Sequence, residues 1–214
     1  MTLKTFLKQN RVFFIGYLFL LIVAFLIWIL ETKKGAFIFL NPYHTSFLDF
    51  VFIGLTFIGD GFFSIALCIS LLFIKRKYLS LMVFISFATS GIFAQILKYF
   101  ISEARPALLL QKSNYPYFIE NVTLHNFHSF PSGHSTSAFA LFAILAFAVE
   151  KKSYSILFLL MAALVGYSRI YLGQHFITDV GIGSFSGVTF SVCCWLYFNQ
   201  FADRISNYSL RKKY

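Results

Sequence analysis

Charge is scarce in this sequence. Asp, Glu, Lys and Arg make up 12% of its 214 residues and apolar types 58%, a balance that excludes an ordinary soluble domain, whose composition is about a quarter charged. Acid is scarcer than base: eight Asp and Glu stand against eighteen Lys and Arg, for a formal net charge of +10. In a polar chain that excess would suit nucleic acid. In one this apolar, Lys and Arg belong to the cytoplasmic loops of a membrane protein, so nucleic acid is not an expected partner. Cysteine is limited to Cys68, Cys193 and Cys194, all inside apolar runs, where thiols are packing atoms and no disulfide framework is implied. Internal repeats and low-complexity tails are absent. No A-x-A-like site follows Trp28-Ile29-Leu30, so the first apolar run reads as a retained helix, not a cleaved signal.

What is present is a series of apolar segments long enough to cross a bilayer, which needs about 20 residues. The chain reads as a single all-α membrane domain over 1–214, with six spans at about 12–30, 49–74, 78–97, 132–149, 153–169 and 175–198. Residues 31–47 read as a polar connection whose middle, 36–40, lies along the interface. The second span is interrupted by Gly59-Asp60-Gly61. The longest stretch outside the membrane, 102–130, mixes charges, prolines and aromatics. Spans four and five are short, so they must borrow length from the polar residues at their ends, which places those residues near the surface where water reaches them.

Those polar residues form patterns. His175 and Asp179 are four apart, so on a helix they share a face and the carboxylate can orient the imidazole, leaving the other nitrogen free to act as nucleophile or base. Arg169 supplies charge for an anion. Pro131-Ser132-Gly133-His134 precedes a helical run and presents unpaired N–H groups at a positive helix end. Lys98 and Arg105-Pro106 add two more cations. Together, K-x6-R-P (Lys98 to Pro106), P-S-G-H (Pro131 to His134) and S-R-x5-H-x3-D (Ser168 to Asp179) resemble the motifs of the type 2 phosphatidic-acid phosphatases, or lipid phosphate phosphatases, a superfamily that includes the vanadium haloperoxidases.

The resemblance implies a metal-independent hydrolase of lipid phosphates or diphosphates with no cofactor. In that scheme His175 attacks phosphorus to form a phosphohistidine, Asp179 orients it and His134 protonates the departing oxygen. Lys98, Arg105, Ser132, Gly133 and Arg169 bind the phosphate. The substrate comes from the bilayer; polyprenyl diphosphate and lipid A phosphate rank ahead of phosphatidylglycerol phosphate and phosphatidic acid. A lipid-to-lipid phosphotransferase would need the same residues. A vanadate-dependent haloperoxidase would use the same pocket, but its relatives are large soluble proteins, and a transporter would leave the His175 and Asp179 pairing without a purpose. Taken singly, each histidine would be an interfacial or packing residue and each arginine a snorkelling cation; the joint arrangement is what argues for a site.

Three other groups invite weaker readings. His125 and His128 lack a Cys or carboxylate at ligand spacing, so loop packing is favoured over head-group contact and both over zinc. Asp60 lies eleven residues beyond Asp49, about 16 Å along a helix and close to mid-membrane. An acid there is a functional hypothesis by default, but a protonated or hydrogen-bonded Asp beside Thr89 and Ser90 is the favoured reading. The thirty phenylalanines are packing and lipid-facing surface. Nothing specifies an oligomeric state.

Six spans place Met1 to Arg11, Lys75 to Lys77, Lys151-Lys152 and the tail on one side, with twelve of the eighteen cations. That side is expected to be cytoplasmic, with both termini in the cytoplasm of a cytoplasmic (inner) membrane and the three motifs facing outward. A cysteine placed at Ser113 should therefore react with an impermeant maleimide in intact cells; labelling only after the cytoplasmic side is opened would reverse the topology.

Overall fold

The computed structural model describes residues 1–111, 115–120 and 122–211, the last eleven by backbone alone. Lys112, Ser113, Lys212 and Lys213 of the topology argument lie outside the described residues. All regular structure among the described residues is helical: α1 (Leu3–Gln9), α2 (Arg11–Leu40), α3 (Ser46–Ile58), α4 (Gly61–Phe73), α5 (Lys77–Phe100), the single turn α6 (Pro106–Leu109), α7 (Gly133–Ala148), a 3-10 turn at Lys152–Tyr154, α8 (Ser155–Tyr171) and α9 (Ile177–Arg211).

Four helical segments, Arg11–Leu40, Lys77–Phe100, Lys152–Tyr171 and Ile177–Gln200, are long and apolar enough to cross a bilayer, and a fifth span exists if α3 and α4 count as one. The sixth expected span is α7, which has 16 residues and falls short of a full crossing. Its setting explains why it can. Residues 135–144 are buried without interruption, enclosed chiefly by α9, α8 and α5. A helix that meets protein on every side has no lipid thickness to match.

The α7 and α9 backbones touch almost directly. A Cβ at Gly187 would lie 2.5 Å from the Thr136 carbonyl oxygen and 2.8 Å from the Ala140 nitrogen, and one at Gly183 would lie 2.6 Å from the Ser132 oxygen. Small residues one turn apart allow such an approach, which in lipid replaces the missing hydrophobic drive between helices with dispersion contact. Ser191 Oγ adds a polar link by donating to the Ala140 carbonyl at 2.9 Å, and it meets Ser86 Oγ of α5 at 2.8 Å. Away from the motifs, α1 closes the bundle: Phe6 is fully buried with its ring edge-on to Phe147 at 4.9 Å.

Two elements differ from the sequence reading. Residues 31–40 are not a loose connection. The helix continues past a kink at Thr32 (φ 64°), because Ala36 and Phe37 bury against Ile170, Phe176 and Ile177. The second span breaks by 60° between α3 and α4. There, Gly59 passes so close to α7 that a Cβ would lie 3.0 Å from both Cβ and the carbonyl oxygen of His134. Asp60, in extended conformation, caps α4 through Oδ1, which accepts from the Phe62 N–H at 2.9 Å. Thr89 and Ser90, expected beside Asp60, instead bond to carbonyls of their own helix.

Gly187→Ala should thus lower the melting temperature in detergent, as overpacking costs about 1–3 kcal/mol. Gly54→Ala, where a Cβ meets nothing within 4 Å, should raise stability by about 0.5–1 kcal/mol. Equal shifts in both variants would show that the α7–α9 approach is not what the glycines serve.

Candidate active site

The helix ends nearest the motifs converge on one cavity of about 460 Å³ lined by Lys98, Arg105, Gly133, His134, Arg169 and His175 together with Thr56, Gln95, Thr123, His125 and Gln174. The expected residues that reach it arrive for local reasons. Lys98 is in the last turn of α5, and Arg105 precedes Pro106 at the start of α6, where proline's fixed φ suits a first helical residue. Gly133 and His134 open α7, and Arg169 is in the last turn of α8. Gly173, at φ +67°, then turns the chain back; a side chain there would be strained and would strike Phe118 at 2.6 Å.

The turn holds His175 differently from the sequence expectation. α9 begins at Ile177, so His175 precedes the helix and does not share its face with Asp179. The cause is Asp179 itself: in the first turn of α9, its Oδ2 reaches back to accept the Phe176 N–H at 2.9 Å, in the manner of a helix cap. The same Oδ2 accepts from Ser129 Oγ at 2.5 Å. It faces His175 Nδ1 at 3.7 Å, ion-pair range but longer than a hydrogen bond, and Nδ1 has no other partner. Burial pushes the His175 pKa down to about 3, with the Asp179 carboxylate opposing and Arg169 adding to the fall. The imidazole is therefore neutral at pH 7, the form in which a nitrogen lone pair is available.

The cations are aimed by their surroundings. Arg105 donates through Nε to the Phe127 carbonyl at 3.0 Å and through a terminal nitrogen to Gln174 Oε1 at 2.8 Å; burial lowers its pKa, yet a guanidinium stays charged. Lys98 Nζ donates to the His128 carbonyl at 2.9 Å. Arg169, 8% exposed, donates to Thr56 Oγ1 at 2.5 Å while its Nε has no partner. A buried charge with an unused donor is costly unless something completes it, and an anion in the cavity would.

Ser132 and Asp179 do not line the cavity. Ser132 is fully buried; its Oγ caps α7, accepting from the Ser135 N–H at 3.4 Å and from Ser135 Oγ at 2.8 Å, and its N–H donates to the Asp179 carbonyl at 3.0 Å. Gly133 borders the cavity, with nothing within 4 Å of where a Cβ would be. Asp179 lies behind His175. His125 lines the cavity, whereas His128 contributes its carbonyl.

Several participants escaped the sequence reading. Thr56 sits in an apolar span and only the fold brings it to Arg169. Gln174 is one of the unspecified residues of S-R-x5-H, and beyond its bond to Arg105 its Nε2 donates to the Thr123 carbonyl at 2.7 Å. Ser129 lies two residues before P-S-G-H, the nearest thing to a signal. Lys33 ion-pairs with Glu103, lies 3.9 Å from Asp179 Oδ1 and covers the Phe176 ring at 4.8 Å; nothing local to residue 33 announces this.

Known proteins supply an independent view. A profile described as the PAP2 superfamily matches residues 78–203. The chain is 30% identical over 169 residues to phosphatidylglycerophosphatase B of Bacillus subtilis, covering 72% of this chain and 74% of that one. It is 34% identical over 116 residues to the lipid A 1-phosphatase of Rhizobium johnstonii, covering 54% of this chain and 46% of that relative, so it spans less than half of the latter's length. Its fold matches the crystal structure of a transmembrane PAP2-type phosphatidylglycerolphosphate phosphatase from Bacillus subtilis at a TM-score of 0.67 and 25% identity, over 90% of this chain and 96% of that one.

Ser129→Ala should leave the buried Asp179 carboxylate short of a donor and cost about 1–3 kcal/mol, read as a lower melting temperature in detergent. An unchanged melting curve would mean that the Ser129 contact holds nothing in place.

Proposed function

The chain belongs to the PAP2 superfamily, and on that footing we propose that it is a multi-pass membrane phosphatase acting on a lipid phosphate at the outer face of the cytoplasmic membrane. The observation that carries the reading is the single cavity faced by His134, His175, Lys98, Arg105 and Arg169. Phosphoryl transfer asks for little beyond an aligned nucleophile, an acid for the leaving group and positive charge around the equatorial oxygens. The relatives' names favour phosphatidylglycerophosphate or a lipid A phosphate as substrate over polyprenyl diphosphate and phosphatidic acid.

In the proposed reaction the three cations and the Gly133 end of α7 hold the phosphate. The ring nitrogen of His175 turned away from Asp179 forms a bond to phosphorus as the bond to the lipid oxygen breaks, and His134 delivers a proton to that oxygen. Asp179, clamped by Ser129 and Phe176, steadies the imidazolium charge that develops on His175. Water then attacks the phosphohistidine, His134 takes the water's proton, and inorganic phosphate leaves with His175 restored. Ser132 acts by capping α7, which sets the His134 backbone, and not by touching phosphate. Lys98, Arg105 and Arg169 supply the charge that a divalent ion brings elsewhere, so activity should survive chelation.

The cation split supports the orientation: Lys77 opens α5, whose other end carries Lys98, and Phe6 of α1 packs on Phe147 at the end of α7 away from His134. The test is phosphate release in detergent with EDTA, across phosphatidylglycerophosphate, lipid A, phosphatidic acid and polyprenyl diphosphate, with a second lipid added as acceptor to reveal transfer. His175→Ala should abolish the labelled phosphoenzyme. His134→Ala should slow lipid hydrolysis far more than hydrolysis of p-nitrophenyl phosphate, whose leaving group needs no proton. Asp179→Asn should lower kcat by about 10²-fold or more with less change in KM. Wild-type-like turnover in His175→Ala, or full dependence on one added divalent ion, would sink the scheme.

A further inference from the structure

We propose that Asp60 is a positioning residue for the His134 general acid: its carboxylate, brought to the first turn of α7 by the break between α3 and α4, supplies negative charge that opposes the loss of a proton from that imidazole. The inference rests on the phosphatase reading above and deepens it.

The geometry comes first. Gly59 touches His134, with a Cβ position 3.0 Å from the histidine's own Cβ, and the next residue along the chain is Asp60. A second cavity, of about 790 Å³, is lined by Gly59, Asp60, Gly61, Gln95, Gly133 and His134 among others. Of these, Gln95, Gly133 and His134 also line the phosphate cavity, so the two cavities meet at the same histidine. Asp60 Oδ1 accepts from the Phe62 N–H.

The charges decide the role. Those acting on His134 are Arg169 from α8, Arg105 from the segment before α6, Lys98 from α5 and Asp60 from the α3–α4 break, with neutral His175 across the cavity. Asp60 is the one acid among them, and it acts on Arg169 as well. Asp179, the other carboxylate of the site, is already held by Ser129 and Phe176. Burial and three cations all act against a proton on His134, and Asp60 is the charge that opposes them before substrate phosphate adds its own. An acid at this depth in so acid-poor a chain has no packing purpose that Ser or Asn would not serve, since either would cap α4 equally well.

Asp60→Asn makes the test selective, because Asn preserves the cap and removes the charge. The readout is kcat/KM against pH, which reports the free enzyme, for the preferred lipid and for p-nitrophenyl phosphate in parallel. In the wild type, the lipid to p-nitrophenyl phosphate ratio should fall on the alkaline side as His134 loses its proton. In Asp60→Asn that fall should move to lower pH by about one unit, and Asp60→Glu should restore part of the shift. If Asn lowers folded yield, the ratio cancels enzyme concentration and still decides. An unmoved alkaline limb in an active Asp60→Asn enzyme overturns the assignment alone. A wild-type enzyme that releases no phosphate from any lipid overturns the phosphatase reading and takes this assignment with it.

Discussion

One buried carboxylate organises the site. Asp179 is fully buried, and its Oδ2 is held by Ser129 from the long loop and by the Phe176 N–H at the start of α9, with Lys33 from the kinked end of α2 near Oδ1. Its main-chain carbonyl receives the Ser132 N–H at the threshold of α7. Removing one partner from a buried charge costs far more than an exposed ion pair is worth. The loop, the α8–α9 turn and the entry to α7 are therefore held to one another through this residue, and His175 inherits its position from them.

The all-helical membrane class was legible because it depends on composition and run length, which survive any arrangement of the helices. That Lys98, Arg105, His134, Arg169 and His175 meet in one cavity was legible too, since each belongs to a motif at a helix end and ends on one side of a bundle converge. Relations that arise only between distant segments were not legible. Thr56 reaches Arg169 across 113 residues of sequence, and Lys33 meets Glu103 across 70. Neither pair has a periodicity to announce it. The expected helical pairing of His175 with Asp179 failed for a local reason: a carboxylate three residues after a free N–H caps it, and the helix starts after the histidine instead of before it.

Asp60 shows how one residue can serve packing and chemistry together. A polar group at this depth must be satisfied, and the helix break lets Asp60 satisfy an otherwise unpaired amide while facing a histidine on the neighbouring helix. Gly59 makes this possible by omitting a side chain where two backbones nearly touch. The expectation of a hydrogen-bonded Asp60 beside Thr89 and Ser90 placed its depth by counting along a helix; its hydrogen bond goes instead to the Phe62 N–H at the break.

The shortness of α7 bears on biogenesis. A 16-residue helix with His134, Ser135, Thr136 and Ser137 in its first turns is a weak candidate for independent partition from the translocon into lipid. Two of the three helices that enclose it, α8 and α9, emerge from the ribosome after it does. Its stable residence in the bilayer thus waits on their arrival, and Gly183 and Gly187, the surfaces it must find, are among the last parts of the bundle to be synthesised. The segment carrying His134 is then committed to its place only when the helix carrying Asp179 is present to receive it, so assembly of the membrane bundle and completion of the site are the same event.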